Sequence, residues 1–119
     1  RREIAKRYDS ELINLPLILP YQLSGTYSSY HLYPICINDN ESDKTQQQIY
    51  KALLKNNISA NLHYIPVYLQ PHYQLMKFDK NYCPNAEIYF KSTISIPIFV
   101  GLTFENQTKI INTIIGEYL

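Results

Sequence analysis

Two stretches of this chain have residue types that could do chemistry: Tyr30-His31-Leu32-Tyr33 and His63-Tyr64-Ile65-Pro66-Val67-Tyr68. Each sets an imidazole beside a phenol at a strand-like segment, and Pro66 turns the second one into a loop. Imidazole and phenol groups both donate and accept hydrogen bonds, so together they suit a polar, ring-shaped ligand. On a regular strand His63 and Tyr64 face opposite sides, so only one of them meets a cleft unless Pro66 has already bent the backbone. His63 has the stronger claim to a ligand. His31 fits packing or a supporting position, and Tyr68, Pro71 and Tyr73 fit a loop stapled to the core equally well.

Other chemistries lack their parts. His31, His63 and His72 have neither a short ligand spacing nor nearby carboxylates, which argues against a metal site. Ser24, Ser28 and Ser29 fall in a turn without the context of a nucleophile elbow. Three glycines are too few for a phosphate cradle. Lysines 44, 51, 55, 77, 80, 91 and 109 fall on helix surfaces or loops, without the apolar flanks that lower the pKa of a Schiff-base lysine. The chain therefore reads as one wall of an active site whose other walls lie elsewhere.

The elements that position this wall follow from periodicity and punctuation. Ile4, Ala5, Tyr8 and Leu12 share one face of a helix over 3–13. The basic group Arg1, Arg2, Lys6 and Arg7 is interleaved with Glu3, Asp9 and Glu11 and reads as a solvated helix face. Pro16 and Pro20 bracket a short extended piece, and 22–28 is a polar turn around Gly25. A strand is expected over 29–37, with Pro34 at an edge or in an unpaired register. Ser42 is a plausible cap for a helix over 43–56 that turns Ile49, Ala52 and Leu53 inward. A second strand is expected over 58–65, followed by an irregular stretch over 67–82.

Pro84 opens a short helix with Ala86, Tyr89, Phe90 and Thr93 inward. A brief strand follows at 95–99. Thr103 caps a last helix whose Ile111, Ile114, Ile115 and Tyr118 recur at helical spacing. The order helix, strand, helix, strand, loop, helix, strand, helix describes an α+β fold, a two-layer α/β sandwich. Residues 1–22 read as a connecting helix and extended linker, and 23–119 as the domain proper.

Composition narrows the partners. The 119 residues suit one domain with a modest core. A net charge of +1 gives no reason to expect nucleic acid. Twelve tyrosines against no tryptophan favour a domain with a large interface or cleft, because a tyrosine ring packs while its hydroxyl stays wet. Cys36 and Cys83 form no CxxC and are expected to be buried, reduced thiols, which implies a cytoplasmic setting. No apolar run is long enough for a membrane span. An opening at Arg1, with neither Met nor a signal peptide, points to a piece of a longer protein.

Taken in order, Arg1-Arg2-Glu3-Ile4-Ala5, Ser29-Tyr30-His31-Leu32-Tyr33-Pro34-Ile35, the run from Asn57 through His63-Tyr64-Ile65-Pro66 to Pro71-His72-Tyr73, Pro84-Asn85-Ala86-Glu87, Ser95-Ile96-Pro97 and Leu102-Thr103 resemble the C-terminal part of the DegT/DnrJ/StrS-type nucleotide-sugar aminotransferases. The resemblance spans nearly the whole chain, and its most specific part is the run that begins at His63-Tyr64. Within the family, the tyrosine-rich wording is most similar to members that aminate a UDP-4-keto-6-deoxy sugar on the pseudaminic acid route. Val100-Gly101 departs from the pattern, which has Pro or a polar residue before Leu-Thr.

The resemblance implies the small C-terminal domain of the aspartate aminotransferase fold. It implies pyridoxal 5'-phosphate held by a large domain that this chain lacks, together with the Schiff-base lysine. It implies nucleotide-sugar and amino-acid substrates, glutamate being the usual amino donor, and a homodimer with shared sites. No residue here would then be catalytic. His63 and Tyr64 would lie nearest the sugar, with Tyr68, Tyr30 and His31 in support. Two alternatives stay open: a non-catalytic sugar-nucleotide-binding module, and a dimerisation piece.

Overall fold

The computed structural model describes residues 1–79 and 81–119; Lys80, one of the lysines weighed above, lies outside them. Three strands form an antiparallel sheet in the order β1-β2-β3: β1 (Leu17–Ile18), β2 (Tyr33–Ile37) and β3 (Thr93–Ile96). On one face β2 presents Tyr33, Ile35 and Ile37, and β3 sets Ile96 and Ile94 directly opposite Tyr33 and Ile35. That face carries α1 (Arg2–Leu12), α2 (Gln46–Lys55) and α5 (Phe104–Gly116). They bury Ala5, Tyr8 and Leu12, then Ile49 and Leu53, then Ile110, Ile111 and Ile114. These are the stripes that helical periodicity calls for. The other face is crossed by α4 (Pro84–Ser92), which packs against β2. All four residues of β3 are buried, so both of its faces are covered.

Pro34 sits in the central strand, an unusual place for a residue without an N–H. The ladder explains it. Asn61 exchanges both backbone hydrogen bonds with Ser95, at 3.0 and 2.8 Å, so the Ser95 N–H and C=O point away from β2. The Pro34–Ser95 pair is therefore a non-hydrogen-bonded one, and the Pro34 nitrogen faces the side where β1, two residues long, has already ended. Pro34 thus occupies an unpaired register, as one of the two expectations had it.

Several expected elements are corrected. The strand over 58–65 reduces to one bridge at Asn61, because β3 offers only Ser95 as a partner on that side. Ile58 and Ala60 are buried even so. The strand expected at 95–99 forms at Thr93–Ile96, directly after α4. The expected strand start at residue 29 moves to Tyr33, since Tyr30 adopts φ 46°. Within 67–82 the chain is not wholly irregular: a 3₁₀ turn at Val67–Leu69 leads into the short α3 (Pro71–Gln74).

Thr45, not Ser42, caps α2. Its hydroxyl accepts from the Gln48 N–H while the Gln48 side chain accepts from the Thr45 N–H, a complete capping box. Thr103 caps α5 as expected. Helix α4 buries only Ser92. Tyr89 is 46% exposed and Ala86 lies at the surface, so the inward stripe expected there does not form.

Arg7 is not part of a solvated face. Its guanidinium lies over the Phe104 ring at 3.7 Å and donates to the Phe104 carbonyl, Gln107 Oε1 and Thr108 Oγ1, which clamps α1 to α5. Cys83 is exposed and Cys36 is half-buried beside Thr93 at 3.1 Å, so neither thiol is fully buried as expected.

Candidate functional site: a His-Tyr wall on the sheet edge

The polar groups of interest lie on the sheet face opposite the core. Ser95 and Thr93 of β3 alternate with the core residues Ile94 and Ile96, so their side chains reach that outer face. His63 lies against it, with Nδ1 2.9 Å from Ser95 Oγ. This bond fixes the imidazole, and Nε2 has no protein partner among the described residues. Tyr64 does not turn to the opposite side, as a regular strand would require. Its ring centroid sits 4.5 Å from that of His63, and the residue is 73% exposed. The ladder has ended at Asn61, so the strict alternation of a strand no longer applies. His63 and Tyr64 therefore form one continuous imidazole-phenol surface with free hydrogen-bonding capacity.

Tyr68, the third expected contact, is buried. Its hydroxyl donates to Glu87 Oε1 at 2.7 Å and lies 3.2 Å from the Cys83 carbonyl. Burial first, and then the bond to the Glu87 carboxylate, pushes its pKa up. These bonds tie Tyr68 to the start of α4.

Tyr30 and His31 are elsewhere. Tyr33 pairs with Ile96, so the residues before Tyr33 lie beyond the C-terminal end of β3. From Asn61 onward the antiparallel chain runs toward Thr93, at the other end. The structure thus brings His63 and Tyr64 together, with Tyr68 nearby, and leaves Tyr30 and His31 at the far end of β3. Tyr30 stacks on Tyr33 at 6.3 Å and lines a small cavity of about 250 Å³ with Arg2, Lys6, Asp9 and Tyr27. His31 is exposed and has no side-chain hydrogen bond among the described residues.

Two residues that position the site carried no role in the sequence reading. Ser95 anchors His63, and Glu87 anchors Tyr68. Both belong to quoted motifs, Ser95-Ile96-Pro97 and Pro84-Asn85-Ala86-Glu87, and their polarity at otherwise structural positions was the available signal.

An apolar groove of about 460 Å³ runs between β1, β2 and α4, lined by Ile18, Tyr21, Pro34, Cys36, Ile88 and Tyr89 among others. Among the described residues there is no cluster of His, Cys, Asp and Glu fit to hold a metal, and no helix is long and apolar enough to cross a membrane.

Residues 1–115 match the DegT/DnrJ/EryC1/StrS aminotransferase family. The chain belongs to that family. An uncharacterized protein of Methanocaldococcus jannaschii is 34% identical over 116 residues, which are 96% of this chain and 30% of that protein. The UDP-4-amino-4,6-dideoxy-N-acetyl-beta-L-altrosamine transaminase of Helicobacter pylori is 30% identical, covering 99% of this chain and 31% of its own length.

Solved structures agree in fold. Helicobacter pylori PseC, an aminotransferase involved in pseudaminic acid biosynthesis, superposes with a TM-score of 0.84 at 28% identity, over 99% of this chain and 32% of its own. A Streptococcus pneumoniae protein named as a sugar aminotransferase, in its PLP form, gives 0.83 at 28% identity, over 95% of this chain and 29% of its own. The chain thus has the fold of a part of the PLP aminotransferases, in a mixed helix-and-sheet form, and spans about 30% of the length of the curated relatives it matches.

Among the described residues, no lysine fits pyridoxal phosphate. Lys6, Lys51, Lys55, Lys77, Lys91 and Lys109 are exposed, and Lys44 is half-buried, 3.6 Å from Asp43. None is desolvated in the way a Schiff-base amine requires. The N-termini of α2 and α5 are capped by Thr45 and Thr103.

Proposed function

We propose that this chain is the sugar-facing small domain of a PLP-dependent nucleotide-sugar aminotransferase. On this reading residues 1–22 connect it to a cofactor-binding large domain while lending α1 and β1 to its core and sheet, and residues 23–119 form the rest of the domain. The observation that carries the reading is the His63–Tyr64 surface, held by Ser95 on the outer sheet face, in a chain of the aminotransferase family with no desolvated lysine among its described residues.

The imidazole and phenol hydrogen-bond sugar hydroxyls and diphosphate oxygens. Tyr68 holds the wall from behind. Tyr30 and His31, at the other end of β3, form a second contact region for an elongated ligand such as a sugar nucleotide. The similarity to the Helicobacter pylori transaminase supports a UDP-linked 4-keto-6-deoxy sugar and a place in pseudaminic acid or related surface-glycan synthesis, and we infer glutamate as the amino donor. The large domain of the same polypeptide covers the apolar groove beside α4. We further infer a cytoplasmic homodimer.

Substituting His63 tests the reading. In the complete protein, His63→Ala removes a fixed hydrogen-bonding group from the sugar side, so KM for the sugar nucleotide should rise roughly tenfold, the equivalent of one lost bond to a polar ligand. KM for the amino donor should stay within about twofold. Equal KM values for the sugar nucleotide before and after the change would remove His63 from the site.

A further inference from the structure

The chain between His63 and the start of α4 is held at two places. His63 is bonded to Ser95 on β3. Tyr64, Ile65 and Val67 are exposed. Pro66 is buried among them, and the next side chain held by a hydrogen bond is Tyr68, only 7% exposed, whose hydroxyl reaches Glu87. Glu87 stands in the first turn of α4, where the helix dipole favours a carboxylate, and its side chain is 16% exposed with Lys91 3.8 Å away. The Tyr68 carbonyl accepts from Gln74 Nε2 at 2.6 Å, which ties α3 to the same point. The Tyr82 ring meets the Tyr68 ring edge-on at 5.9 Å. One residue, through its hydroxyl and its backbone carbonyl, therefore joins the 3₁₀ turn, α3 and α4.

We propose that the Tyr68–Glu87 pair is a clasp that sets the position of the His63–Tyr64 wall, and that both are positioning residues for the sugar-nucleotide subsite. The subsite itself rests on the reading given under Proposed function. A phenol donating to a carboxylate makes a charge-assisted hydrogen bond, stronger than one between neutral groups. Without it, four residues stand between the Ser95 anchor and a Tyr68 held by packing, the Gln74 bond and the longer bond to the Cys83 carbonyl, and Tyr64 loses its fixed distance from the sheet.

The test uses the complete protein and two readouts. Glu87→Ala should raise KM for a UDP-linked keto sugar roughly tenfold, with a smaller change in kcat, the signature of a displaced binding group. Glu87→Gln keeps an acceptor oxygen and should restore most of the loss. Tyr68→Phe should cost at least as much as Glu87→Ala, since it also removes the bond to the Cys83 carbonyl, and the double variant should be no worse than Tyr68→Phe alone, because the Glu87 bond is already cut there. The second readout is amide exchange over 64–70, which should speed up at least about fivefold in Glu87→Ala while the thermal midpoint stays within a few degrees.

Additive effects of the two substitutions would overturn the clasp, as would unchanged exchange over 64–70. A complete protein that transfers no nitrogen to any nucleotide sugar would overturn the functional reading alone. The exchange measurement would then still decide whether the clasp exists.

Discussion

Raising the pH from 10 to 12 should strip a large part of this domain's stability, because two buried tyrosines resist ionisation. Tyr8 and Tyr33 are fully buried, with rings 5.0 Å apart. Burial is the main cause that lifts both pKa values far above the ordinary tyrosine value. For Tyr33 the hydrogen bond to Asp9 and the charge of that carboxylate add to it, whereas Arg7 partly offsets the rise for Tyr8.

In the unfolded chain tyrosine loses its proton near pH 10. Above that pH the native state binds more protons than the unfolded one, so stability falls as pH rises; below it the two tyrosines contribute no pH dependence. The slope approaches about 1.4 kcal/mol per pH unit for each residue, roughly 5 kcal/mol for both over two units. That is a large part of the ~5–15 kcal/mol typical of a domain. Urea unfolding at pH 9, 10, 11 and 12 measures it. Tyr8→Phe should lower the slope by up to about half, Tyr68 and Tyr118 adding smaller contributions of the same sign, and a midpoint independent of pH across this range would show that neither hydroxyl is held as described.

The second large effect is in the helical layer. Leu53 is fully buried on α2, which packs against α5. Leu53→Ala should cost roughly 2–5 kcal/mol, the sum of lost burial and a cavity that the rigid sheet cannot close. A loss under about 1 kcal/mol by chemical denaturation would mean that α2 is not seated on the core as described. Leu54, its neighbour, is 47% exposed, and Leu54→Ala is the matched control, expected within about 0.5 kcal/mol of the parent.

How much of this was legible depends on which signal each segment carries. The inward Ile111 and Ile114 of α5 and Ile49 and Leu53 of α2 follow from spacing alone, whereas α5 ends at Gly116 and leaves Tyr118, the last residue of the expected stripe, beyond the helix. The cap of α2 was also legible, since Thr45 has Gln48 three residues on, yet Ser42 drew the assignment because the helix start was placed three residues early. Ser42 instead bonds the Lys44 backbone and lies 3.3 Å from the Tyr118 hydroxyl.

The segment over 58–65 has the alternation of a strand, and Ala60 and Leu62 do turn inward. Whether it pairs is decided by the length of β3, which lies thirty residues away and leaves no local trace. The site shows the same division. Neighbours in sequence, His63 and Tyr64, are neighbours in space, whereas Ser95 and Glu87 are brought to the wall by the sheet register and by α4. Tyr30 and His31 share a residue pattern with His63 and Tyr64, but strand direction alone sends them to opposite ends of β3.

The most direct measurement is the location of the cofactor adduct. Borohydride reduction of the complete protein with pyridoxal phosphate, followed by peptide mapping, should trap the cofactor on one lysine outside residues 1–119 and abolish activity. The same treatment of residues 1–119 alone should leave every lysine unmodified at stoichiometric cofactor. A single, stoichiometric adduct on a lysine within this chain would contradict the division between a sugar-facing wall here and the reacting group elsewhere.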